Sequence, residues 1–235
     1  MTNKEMRVDN SQEQATKIRW SSIIVFSFWF ASWNVMWGVY NNYLPVLLQA
    51  GGANFNVLGS SKALGFGIGA FAVGIIMSID NIAGAILKVV FGPIVDQVHS
   101  RKRILIISGA VAAVAYALIP VGFLMITPET SGQMDLLTGP FIFTFAMLTI
   151  MIGGWGVAEM AESSLFHVVV SSKQRSKTVS YRVFVGGLAF VVTLLIGNKL
   201  YEVNLGLPFW IGAGFYTITL VLYALVIKEP EHSTF

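Results

Sequence analysis

Four ionisable residues stand inside stretches that are otherwise apolar: Asp80 and Lys88 in one, Glu159 and Glu162 in another. A carboxylate so placed can take up and release H+ or Na+, or it can hold a protein cation in a structural ion pair. Charges in a low-dielectric interior are costly, so either use needs a partner or a water-filled cavity. Asp80 and Lys88 are eight residues apart, which turns a helix by about 800° and returns both to nearly one face. Glu159 and Glu162 are neighbours on one helix face. The ion pair expected from these positions joins Lys88 to Glu162. A second group, Asn34, Trp37 and Asn41, recurs at helical spacing. A ring beside amides suits a solute with apolar C–H faces and hydroxyl groups. The same stripe also suits a seam of interhelical hydrogen bonds. A third group sets Asp96 at a helix end, just before Arg101, Lys102 and Arg103.

The elements that must carry these residues are membrane spans. Hydrophobic residues make up 55% of the 235 and charged residues 11%, against roughly 25% charged in soluble domains. A helix needs about 20 apolar residues to cross the hydrocarbon core. Runs of that kind cover about 20–48, 63–91, 103–126, 137–169, 182–202 and 207–227. The glycines at 65, 67, 69 and 74, 153, 154 and 156, and 186 and 187 are expected to let these helices pack closely. The chain has no cysteine, which excludes disulfides and thiol chemistry. No His or acidic cluster has metal-ligand spacing, and nothing assembles a catalytic triad. The chain is therefore expected not to be an enzyme and to need no metal or cofactor.

Charge sets the expected orientation. Lys4, Arg7, Lys17, Arg19, the 101–103 cluster, Lys173, Arg175, Lys177, Arg182 and Lys228 fall on one side, and Lys62 and Lys199 on the other, where Glu129 and Asp135 also lie. The basic side is expected to be cytoplasmic, with both termini there, in a multi-pass protein of the plasma (inner) membrane. The domains read as a polar tail at 1–19, a six-span bundle at 20–227, and a tail or start of a linker at 228–235. Each triplet of spans has a basic loop on that side and a long acid-bearing span, as in a three-plus-three inverted repeat.

The segment Gly92-Pro93-Ile94-Val95-Asp96, followed by Arg101 and Lys102, resembles the signature between the second and third spans of the major facilitator superfamily. Tyr40-Asn41-Asn42-Tyr43-Leu44-Pro45, Ile76-Met77-Ser78-Ile79-Asp80-Asn81-Ile82 and Arg175-Ser176-Lys177 resemble its sugar–cation (glycoside–pentoside–hexuronide) symporter branch. Two positions depart from that branch: Lys88 stands near a usual Gln, and Glu162 near a usual basic residue.

The resemblance implies an all-α integral membrane protein of six transmembrane helices, one half of a major facilitator fold. It implies secondary active transport of a small polar solute, a sugar or glycoside, coupled to H+ or Na+. The candidate solute site is Asn34, Trp37 and Asn41. The candidate coupling residues are Asp80, Glu159, Glu162 and Lys88, with Asp80 placed nearest the family's cation region. The candidate cytoplasmic gate is Gly92, Asp96, Arg101 and Lys102. The expected partners are lipid, solute, and either a second copy or a complementary C-terminal six-helix half, with no nucleic acid. The competing expectation is a non-transporting scaffold or accessory subunit derived from a transporter.

Overall fold

The computed structural model describes residues 20–49, 65–98, 100–127 and 138–229. Tail 1–19, Lys62, Glu129 and Asp135 lie outside them, as do the side chains of Asp80 and Asp96 within their helix. The described residues form α1 Trp20–Gln49, α2 Ala70–Gln97, α3 Arg101–Leu124, α4 Gly139–Val169, α5 Ser172–Val203 and α6 Leu207–Val226. All six are long and apolar enough to cross a membrane.

The helices pair in a pattern that repeats. The first, α1, packs on α5 and α6, while α4 packs on α2 and α3, and α3 meets α6. Exchanging each helix with the one three places later reproduces the same pairs. This is the contact pattern of two three-helix units related by a two-fold axis, as in an inverted repeat. It leaves α2 and α5 outermost. Buried residues make up 12% and 6% of their spans, against 33% to 61% for the other four.

The core between α1, α3, α4 and α6 is largely aromatic. Phe26 meets Phe166 and Tyr223 edge-on, and Trp29 packs against Tyr216 and Tyr223. Tyr116 of α3 donates to the Met36 carbonyl of α1 at 3.1 Å. Close approach depends on two glycines. A Cβ at Gly154 would lie 2.8 Å from the Ser108 carbonyl oxygen, and one at Gly186 would lie 2.5 Å from Phe30 Cδ1.

Three expectations change. Residues 65–69 are not helical, because Gly67 takes a left-handed φ of 68° and the Ile68 amide donates to the Leu48 carbonyl instead. Gly65, Gly67 and Gly69 therefore do not pack helices together, and Gly74, Gly156 and Gly187 meet nothing within 4 Å. The fifth helix begins at Ser172 rather than at 182. Its polar first turns are good helix formers that an apolar window does not register.

At the end of the bundle that carries the 101–103 cluster, Glu229 and α3 cap each other's elements. The backbone amides of Arg101 and Lys102 donate to the Glu229 carboxylate at 2.9 and 3.3 Å. These are donors that a helix start leaves unpaired. In return Lys102 Nζ donates to the Ala224 and Ile227 carbonyls at the end of α6.

Candidate functional site: an aromatic cavity beside two ion pairs

One face of α1 carries Phe30, Trp33, Trp37 and Tyr40, spaced so that successive rings stack along the helix. Each neighbouring pair of centroids is 5.6 Å apart. Trp155 of α4 packs at a steep angle against both Trp33 and Trp37. Trp33, Trp37, Tyr40 and Trp155 form one wall of a cavity of about 200 Å³ between α1, α2 and α4, completed by Asn81, Lys88, Met151 and Glu159 among others. The Trp155 indole N–H is buried and has no hydrogen-bond partner among the described residues. Asn81 spends one amide N–H on the Met77 carbonyl at 2.8 Å.

Lys88 Nζ lies 2.8 Å from Glu159 Oε2, and both side chains are about half exposed, at 46% and 39%. One turn along α4, Glu162 is buried. Its Oε1 receives Arg182 of α5 at 2.9 Å and the Tyr223 hydroxyl of α6 at 3.2 Å. The Arg182 guanidinium also sits over aromatic rings, 4.9 Å from the Phe166 centroid and 5.4 Å from that of Phe30. Arginine suits this place, being less strongly hydrated than lysine and able to stack on aromatic faces.

The expected Lys88–Glu162 pair is therefore corrected. Glu159 and Glu162 share a broad face of α4, yet helical rotation separates them by about 60°. Glu159 reaches α2, and Glu162 reaches the junction with α5 and α6. The cation for Glu162 is Arg182, which the sequence reading assigned to the basic side. The helix starts at Ser172, so Arg182 is ten residues in, about 15 Å along the axis. The available signal was a helix-forming run, Lys173-Gln174-Arg175-Ser176-Lys177, continuous with the apolar one. Tyr223 and Trp155 were also missed, because buried aromatics in a membrane sequence look alike whether or not their polar atoms are used.

Of the candidate solute residues, Trp37 lines the cavity, and Asn34 and Asn41 do not. Their amides donate to their own helix, Asn34 to the Phe30 carbonyl at 2.7 Å and Asn41 to that of Trp37 at 2.9 Å. Asn34 lies against Gly186 in the α1–α5 seam. Asp80 is on the cavity helix α2, and Asp96 is near its end. Of the gate residues, Gly92 faces Met160 of α4, and Arg101 and Lys102 engage Glu229 and α6.

The arrangement can hold a small solute against aromatic faces while offering it a carboxylate, an ammonium and an amide. The family model of the Major Facilitator Superfamily matches residues 22–235. No curated protein and no solved structure matches the chain.

Proposed function

This chain belongs to the Major Facilitator Superfamily, a family of membrane transporters, and we propose that it carries a small polar solute, a sugar or glycoside, through the cavity between α1, α2 and α4. The observation that carries this reading is the Trp33–Trp37–Trp155 wall facing the half-exposed Lys88–Glu159 pair. Sugar C–H faces pack on such rings, and hydroxyl groups can exchange bonds with the ion pair. Glu159 is the carboxylate that meets the solute and a coupling H+ or Na+. Asp80 and Lys88 act with it on α2, and Glu162 sets its surroundings from one turn away. Gly92, Asp96, Arg101 and Lys102 form the gate, with the basic end of the bundle in the cytoplasm of a cell whose plasma membrane holds the protein.

The transporting unit pairs this bundle with a second six-helix bundle, either another copy or a complementary half. Two observations support pairing. The cavity, at about 200 Å³, falls below the roughly 300–1,000 Å³ of solute pockets and needs another wall. The outermost helices also present apolar rows, Ile79, Ile82, Ile86 and Val90 on α2 and Phe184, Val191 and Leu195 on α5. Because the chain lacks cysteine, single cysteines at Ile86 or Val191 report pairing cleanly. Disulfide-linked dimers of the chain in membranes indicate a second copy, and crosslinks to another protein indicate a complementary half.

A scaffold is the second reading, favoured by the fact that Glu159 and Glu162 both already hold a cation of the chain. Uptake in proteoliposomes under imposed pH or Na+ gradients separates the two. Gradient-dependent accumulation of a sugar supports transport. Its absence across a sugar panel, with copies crosslinked as dimers or with the captured half present, supports the scaffold.

A further inference from the structure

A second cavity, about 330 Å³, lies between α5 and α6 with Val35 and Val39 of α1 as its floor. Its chemistry is unlike that of the first. The walls include Val192, Ile196, Ile211 and Phe215, and the one hydroxyl, on Thr193, already donates to the Ala189 carbonyl at 2.8 Å. Nothing in this lining holds water or a polar solute. A void among apolar groups leaves their atoms without contacts on one side, so in the bilayer it favours hydrocarbon. Its α5 wall runs from Leu188 to Leu200, twelve residues or about 18 Å. That matches one leaflet, half of a hydrocarbon core about 30 Å thick.

The end of the groove is polar in a specific way. Lys199 follows Ile196 by three residues and Val192 by seven, so it shares their face. It is exposed and in no ion pair among the described residues. Trp210 lies at the same level of α6, outside the groove, with its ring turned to α3 and its indole donating to the Ala117 carbonyl at 3.0 Å. Lysine and tryptophan together mark the headgroup level of a membrane protein.

We infer that the α5–α6 groove binds a phospholipid, one acyl chain lying along α5 and the phosphate held by Lys199. The test uses the full chain in nanodiscs containing phosphatidylethanolamine with a diazirine on one acyl chain. After irradiation, peptides carrying adducts are mapped by mass spectrometry. Adducts on 188–200 and 208–215 should exceed, several-fold, those on the equally exposed α3 residues Ile107, Val111 and Val114. Lys199→Gln should lower labelling of the groove by this lipid and leave labelling by a diacylglycerol with the same diazirine chain unchanged. Adducts that simply follow exposure overturn the proposal, as does an unlabelled groove, the result expected if protein covers it. Equal phospholipid labelling of Lys199→Gln and the unaltered chain overturns the headgroup assignment. The unaltered chain alone supplies the first comparison, and none of these readouts depends on solute uptake.

Discussion

Arg182 of α5 and Glu162 of α4 meet at 2.9 Å among the rings of Phe26, Phe30 and Phe166, with the Tyr223 hydroxyl on the same carboxylate oxygen. This buried contact ties three helices at one point. Breaking a buried pair by removing one partner strands a charge and costs about 3–5 kcal/mol. Glu162→Ala and Arg182→Ala should each lower the unfolding temperature in detergent sharply, and the double variant should lose much less than the sum of the two. Additive losses would show that the two side chains act independently.

The Lys88–Glu159 pair should behave differently, because its partners are half exposed and line the cavity, where entering water would screen them. Lys88→Gln should change stability by no more than about 1 kcal/mol while abolishing coupled uptake. A variant that unfolds as readily as Arg182→Ala would mean that Lys88 is a structural tie and not part of a working cavity.

How much of this was legible in the sequence follows from what each residue depends on. The six spans could be read because hydrocarbon thickness imposes a length that apolar runs must match. Trp37 could be placed at a cavity by its spacing, and Lys88 and Glu159 could be singled out because charges in apolar runs require a reason. The partner of Glu162 could not be read. It depends on how α4, α5 and α6 rotate against one another, which is set by close contacts such as Gly186 on Phe30. The amides of Asn34 and Asn41 were misleading for a local reason, since an Asn side chain in a helix readily bonds the carbonyl one turn back.

Glycine contacts give a third prediction. Gly154→Val puts a side chain against the backbone of α3 at Ser108, and overpacking of this kind costs about 1–3 kcal/mol. Gly187→Ala, where nothing lies within 4 Å, should be neutral or slightly stabilising by helix propensity. Thermal unfolding of the two variants side by side checks this, and equal losses would refute the α3–α4 contact.

The reciprocal cap at the basic end gives a fourth. Glu229→Gln should weaken the start of α3 by about 0.5–2 kcal/mol, as loss of a helix cap does. Amide hydrogen exchange at Arg101 and Lys102 should then speed up, with exchange in the middle of α3 unchanged. Unaltered exchange at those two amides would mean that Glu229 contributes nothing to the cap.

The central claim is that the cavity walled by Trp33, Trp37 and Trp155 carries the solute. Counterflow of radiolabelled sugars into proteoliposomes tests it most directly, comparing the unaltered chain with Trp37→Ala at matched protein content. The expected result is exchange of at least one sugar by the unaltered chain and its loss in Trp37→Ala and also in the milder Trp37→Phe, both assayed below their unfolding temperatures. Equal exchange by the unaltered chain and the variants would contradict the assignment.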